Sequence, residues 1–267
     1  MEGVAGVVSL TQVKPDSPEY PEARTWLMAE LVALSAGLLE GGAEEVSIYD
    51  EHWFGRNIDI SRIPSGVRVI SGKPPYRADW AGGLDARHTG MILHGFHSME
   101  GAGHTLSHTY EPDFQAIRLN GRPVGEIAIE TAIAGDCGVP LVLIIADSAG
   151  AEEAQRLVPG TKAVVTKISC GRDAAECLAL PDVLADIRAK ALDVARQPPP
   201  AQPFRVKPPV ELVCIFNEGP YLEGLRRRRP ANFTGANTFR LVGPTTTAVW
   251  ADYWQVKLQV QRDLATP

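Results

Sequence analysis

Pro140-Leu141-Val142-Leu143-Ile144-Ile145-Ala146-Asp147-Ser148-Ala149-Gly150 is the stretch from which the fold is read. An apolar run with no alternation, from Pro140 to Ala146, marks a strand buried on both faces, the usual condition of a strand inside a parallel sheet. Outward from it, helical and extended patterns take turns. Downstream come a helix over Ala151 to Leu157, a strand over Ala163 to Lys167 and a helix over Leu180 to Ala195. Upstream, Gln115 to Leu119 and the turn Asn120-Gly121-Arg122 lead into a helix starting near Pro123. Earlier strands fall at Glu45 to Tyr49, Gly66 to Ser71 and Met91 to His97. Pro21 opens a helix that carries Leu27, Leu31, Leu34 and Leu38 on one stripe and stops at Gly41-Gly42. This alternation predicts an α/β fold with a mostly parallel central sheet flanked by helices.

Gln197 to Pro209 contains six prolines and reads as a linker. It divides the chain into an α/β metal-site domain, residues 1–196, and a smaller C-terminal α/β portion, residues 210–267. The latter has a strand at Val210 to Phe216 and helices near Tyr221 and after Ala248.

The 267 residues are 45% hydrophobic and 22% charged, enough apolar material for a substantial core. Lys and Arg total 26 against 32 Asp and Glu, a net charge of −6 that argues against nucleic acid as a partner. No apolar run is long enough to span a membrane, and the first residues lack a signal-peptide pattern. The four cysteines (Cys137, Cys170, Cys177, Cys214) form no CxxC pair and read as small buried hydrophobes in a reducing compartment, which places the protein in the cytoplasm.

Two motifs fail on inspection. Gly66 to Lys73 lacks the glycine spacing of a phosphate loop, and Pro74 stands where Ser or Thr should bind Mg²⁺. Ser148 follows a buried strand as a nucleophile elbow would, but no histidine follows it in the chain, so it reads as a helix N-cap. Arg226 to Arg229 reads as a solvated helix end; the alternative is a grip on acidic groups of a substrate or neighbouring subunit.

All six histidines fall between His52 and His108. Packing residues would scatter. Strand ends bring ligands from separate segments together, and several candidates sit there. His52 follows the strand ending at Tyr49. His94 and His97 point to opposite sides of their strand, which makes the terminal His97 the ligand and His94 structural. His104 and His108 lie on the glycine-rich loop Gly101 to Tyr110. Glu126 and Glu130 share a helix face, with Glu126 in the first turn and Glu130 facing solvent. Histidine with carboxylate suits zinc, manganese or iron alike. The absence of H-E-x-x-H excludes ordinary zincin chemistry.

Met1-Glu2-Gly3-x-x-Gly6, Asp50-x-His52, Gly95-Phe96-His97, Ser107-His108 and Asn120-x-Arg122-Pro123-Val124-Gly125-Glu126 occur in the order of one known family. In these, and in Leu141 to Asp147, Ile168-Ser169 and Thr245-Thr246-Thr247, the chain resembles the zinc-dependent D-aminopeptidases, whose type member belongs to a dipeptide-transport operon. The resemblance covers nearly the whole chain, and Arg-Pro-Val-Gly-Glu is its most specific part. It implies a two-zinc peptidase that releases N-terminal D-amino acids from short peptides, in a homodecamer of two stacked five-membered rings. Carried over by position, Glu2, His52, His97 and Glu126 match metal ligands and His108 matches the catalytic residue; His88, His94 and His104 have no role.

The family motif opens Asp-Met-Glu-Gly, and its aspartate bridges the metals. This chain starts at the Met, so the bridging carboxylate and the first strand are expected to be missing, through a misassigned start or a shortened chain. Two adjacent dications repel strongly unless an anion lies between them, so one zinc is expected to bind well and the second poorly. Two other readings fit the same residues: a catalytically impaired homologue serving as an assembly or small-ligand-binding protein, and a metal hydrolase of another amide.

Overall fold

The structure, a computed structural model, describes residues 1–74 and 76–265; the last two positions of the expected C-terminal portion lie outside it. In chain order the first half comprises α1 (Tyr20–Glu40), β1 (Val46–Tyr49), β2 (Val67–Ile70), β3 (Met91–Phe96), β4 (Phe114–Leu119), β5 (Arg122–Val124) and α2 (Glu126–Asp136). There follow β6 (Leu141–Ala146), α3 (Ser148–Leu157), β7 (Lys162–Val165), β8 (Lys167–Gly171), β9 (Ala174–Cys177) and α4 (Leu180–Arg196). The chain continues with β10 (Val210–Phe216), α5 (Pro220–Arg228), β11 (Thr238–Gly243) and α6 (Thr246–Ala265).

β6 is buried at every residue and lies between β3 and β7 in a parallel sheet, as its unbroken apolar sequence requires. β1 and β2 form a second parallel pair. Parallel sheets flanked by helices are therefore the α/β fold expected from the sequence. The C-terminal portion differs in kind. β10 buries alternate residues, Val210, Leu212, Cys214 and Phe216, and pairs antiparallel with β11 and β4. An alternating strand has one face to cover, and α6 covers it with Trp250, Tyr253 and Val256 in one aromatic-rich core.

Where α1 meets α4 the backbones come close. A Cβ on Gly37 would lie 2.4 Å from the Arg188 carbonyl oxygen, so only glycine fits. Leu34 of α1 joins Val183, Ile187 and Ala191 of α4 in one core with Val142, Leu143 and Ile145 of β6.

Three local expectations are corrected. Pro123 lies in β5, and the helix begins only at Glu126. Asn120 and Gly121, both left-handed, form the two-residue turn that folds β5 back on β4. Asp147, not Ser148, caps α3: its Oδ1 accepts from the Gly150 N–H at 2.7 Å, while Ser148 Oγ accepts from the Ser169 N–H. Of the cysteines, all free, only Cys214 is fully buried; Cys170 and Cys177 are exposed on the β8–β9 hairpin.

The arginine run ends α5, where Arg228 pairs with Asp263 and Arg229 with Asp252, both on α6. Among the described residues no helix is long and apolar enough to cross a membrane. Within residues 197–209, Phe204 and Arg205 lie against α2: Arg205 donates to the Gly135 carbonyl, and the Phe204 carbonyl fills the space a Cβ on Gly135 would need. Division of the chain at this segment is a proposal about independent folding, and β4 with β10 is the sheet contact that such a boundary would cut.

Candidate metal centre

His97 follows the end of β3, where Gly95 takes a left-handed φ of +73° and the register with β6 shifts. The two histidines of this segment meet different helices. His94 Nε2 lies 2.7 Å from Glu30 Oε2 on α1, and Glu30 Oε1 accepts the Ala5 N–H. His94 is thus a structural partner, while His97 is 3% exposed and approaches Glu126 on α2. Its Nδ1 lies 3.0 Å from the Ser98 carbonyl, which leaves Nε2 directed at Glu126 Oε1, 3.8 Å away.

His108 arrives on the loop between β3 and β4. That loop is pinned to the β8–β9 hairpin by Thr105, whose N–H donates to Ser169 Oγ and whose hydroxyl reaches the Gly171 and Ala174 carbonyls. His108 Nδ1 lies 2.7 Å from the Leu106 carbonyl, and Nε2 lies 3.8 Å from Glu126 Oε1 and 4.0 Å from Glu2 Oε1. Glu126 is the first residue of α2, where the helix dipole favours an anion. Its Oε1 accepts the Tyr110 N–H at 2.6 Å.

Glu2 reaches the same place from the chain start. Lys167 Nζ donates to the carbonyls of Glu2 (2.6 Å) and Val4 (2.7 Å), and the Thr166 hydroxyl donates to that of Gly3 (2.6 Å). Gly3 must be glycine, since a Cβ would fall 1.8 Å from the Phe96 carbonyl oxygen. Glu2 Oε2 accepts from the Met1 amine at 2.8 Å, and Oε1 lies 3.3 Å from His52 Nε2. His52 is held from behind. Asn57 donates from Nδ2 to its carbonyl, and Asp50 accepts both the backbone and side-chain N–H of Asn57.

All five expected residues therefore lie together, in the wall of one cleft of about 1390 Å³. Within the set, ligand atoms of His97, His108 and Glu126 lie within 4.8 Å of one another. Their 3.8 Å separations are too long for hydrogen bonds yet near the roughly 3.3 Å between ligands of a tetrahedral zinc. Each of the two Nδ1 atoms sits on a backbone carbonyl, the outer support that metal-bound imidazoles require. His52 Nδ1 is buried without a hydrogen-bond partner among the described residues. This donor set fits zinc. It groups His108 with His97 and Glu126, whereas His52 meets Glu2.

The electrostatics agree with a cation site. Burial would raise the Glu2 carboxyl, but the Met1 amine and His52 hold it well below the usual range. Burial pushes His97 down, keeping it neutral and able to coordinate. Burial would likewise lower His108, but Glu126 and Glu2 outweigh it and raise the ring above the ordinary imidazole value.

Glu130 does not face solvent. It is 6% exposed and accepts from the Tyr76 and Tyr110 hydroxyls, both at 2.7 Å, because α2 is buried on nearly every side. Burial, then the nearby Glu51, raise its pKa well above the carboxylate norm. His88 lies beside Asp85 on a turn, and His104 is exposed. Sequence reading missed Lys167, Thr166, Asn57 and Tyr110. A lysine closing an otherwise apolar strand was the one available signal.

A family model described as D-aminopeptidase matches residues 1–251. Among curated proteins the chain is similar to a D-aminopeptidase of Bacillus subtilis (strain 168), with 28% identity over 180 residues, 67% of this chain and 65% of that protein. The match spans just under two thirds of that relative's length. Among solved structures it is similar to the Zn-dependent D-aminopeptidase DppA from Bacillus subtilis, a self-compartmentalizing protease. The TM-score is 0.86 at 23% identity, covering 100% of this chain and 96% of that one, a likeness of fold.

Proposed function

Because the chain belongs to the D-aminopeptidase family, we propose that it is a zinc-dependent aminopeptidase releasing the N-terminal residue, of D configuration, from short peptides. The observation that carries this reading is the convergence of His97, His108 and Glu126, with Glu2 and His52 beside them, in one cleft.

Glu2, His52, His97 and Glu126 are the proposed zinc ligands. Bound zinc supplies a Lewis acid that polarises a peptide carbonyl and makes water acidic enough to attack it near neutral pH. His108 moves the proton. With Nδ1 on the Leu106 carbonyl, its neutral form carries the free lone pair on Nε2, toward Glu126 and Glu2. In that position it takes a proton from the attacking water and returns it to the leaving amine. A second role for His108, as a further ligand beside those four, is favoured by its place among the close-packed donor atoms.

The test is metal analysis of the purified chain together with a panel of D- and L-aminoacyl peptides. Zinc uptake with cleavage of the D series supports the reading. No zinc uptake, or cleavage of the L series alone, overturns it. Assembly into a homo-oligomer, with ten subunits, is part of the proposal and is measured by light scattering on the eluting protein. A cytoplasmic location, also proposed, is in keeping with four free thiols.

A further inference from the structure

Tyr110 holds a left-handed backbone conformation, φ +56°, which a bulky L-residue keeps only when its surroundings impose it. Three contacts do so. Its ring packs on Trp250 with centroids 4.8 Å apart, its hydroxyl donates to Glu130 Oε1 at 2.7 Å, and its N–H donates to Glu126 Oε1 at 2.6 Å. Glu126 and Glu130 stand four residues apart on one face of α2. A single residue thus addresses two carboxylates on successive turns, one with its backbone and one with its side chain.

Glu130 is fixed in turn. Its Oε2 accepts from Tyr76, which is 3% exposed and packs edge-on against Trp254 with centroids 5.9 Å apart. Both oxygens of Glu130 are occupied by phenols, and it lies outside the close group formed by His97, His108 and Glu126. It is not itself a ligand. Glu126, by contrast, has a long side chain at a helix terminus, and the Tyr110 N–H is the hydrogen bond that orients its inner oxygen. His108 is only two residues before Tyr110, so whatever fixes Tyr110 also limits the path of the histidine loop.

We propose that Glu130 and Tyr110 are positioning residues, a clamp that holds the Glu126 carboxylate and the His108 loop in the geometry needed to bind the cation. The role rests on the metal-site reading above. Outer partners of metal ligands commonly change metal affinity by about 10- to 100-fold when removed.

The test is competition for zinc against a chromophoric chelator, using Tyr110→Phe, Glu130→Leu, the double variant and Glu130→Gln. Tyr110→Phe and Glu130→Leu should each weaken zinc about tenfold, and the double variant should be no weaker than the weaker single, since both cut one link. Glu130→Gln keeps an oxygen to accept from Tyr110 and should restore affinity to within about threefold of wild type. Unchanged affinity in Tyr110→Phe, or fully additive losses, overturns the clamp. A second readout needs no metal. Crystal structures of the metal-free wild type and of the isosteric Tyr110→Phe should show the Glu126 carboxylate leaving the position 2.6 Å from the residue 110 amide in the variant only. An unmoved carboxylate overturns the clamp whether or not zinc binds. A wild-type chain that takes up no zinc counts against the peptidase reading alone.

Discussion

The imidazole of His108 lies on that of His97, with ring centroids 4.2 Å apart and planes 13° from parallel. Two stacked rings, each with Nδ1 on a backbone carbonyl, present their Nε2 atoms to one carboxylate, Glu126. His108→Ala should lower kcat by about 10²- to 10⁴-fold, the range expected for loss of a general acid–base group. Zinc content measured on the same preparation assigns the role: retained metal makes His108 the proton carrier, and metal lost with activity makes it a ligand.

Glu126→Ala removes a carboxylate that lies 3.8 Å from both rings. Zinc affinity should fall at least about 100-fold, the upper end of what outer-shell losses alone produce. Metal retained per chain after dialysis against a weak chelator is the measurement, and an unchanged value would falsify the ligand assignment.

Burial of Lys167 pushes its ammonium down from 10.5 to about 8, with Asp147 and Glu30 opposing. Between those two values the unfolded chain keeps a proton that the folded chain has released, so this group makes stability rise with pH. The gain is about 3 kcal/mol across the interval at 1.36 kcal/mol per unit. Urea titrations of the metal-free protein at pH 8 and pH 10.5 should show wild type gaining on Lys167→Met by an amount of that order. Equal slopes for the two proteins would show that the ammonium is not destabilised by its surroundings.

Gly37→Ala should destabilise, although alanine in a helix interior is ordinarily favourable by about 1 kcal/mol. The added methyl would sit 2.4 Å from the Arg188 carbonyl oxygen and 2.8 Å from the Ala191 methyl, so α1 and α4 must separate. A loss of about 1–3 kcal/mol is expected from overpacking, visible as a lower Tm. A raised Tm would mean that the two helices are free to adjust.

Legibility of the chain followed range. β6 was plain because its burial on both faces is written in consecutive residues, and α1 because Pro21 opens it and Gly41 ends it. The Asn120-Gly121 turn is legible, but the strand after it is not, since three residues carry too little pattern to show a period. Helix periodicity tells which residues share a face with Glu130, while only packing tells that this face is covered. For His94 and His97, strand alternation supplies the expectation of different roles, and the fold supplies the partners, Glu30 on α1 for the one and Glu126 on α2 for the other.

Residue types and short-range periodicity settled the α/β class, the apolar strand at the centre and the histidine-rich stretch from which ligands would come. Those properties depend on neighbours within a few positions. Folding decided the rest: that residues 2, 52, 97, 108 and 126 share one cleft, that Lys167 and Thr166 grip the chain around Glu2, and that Tyr110 joins Glu126 to Glu130. Such contacts join residues as many as 165 positions apart, and no local pattern encodes a meeting that the packing of separate strands and helices brings about.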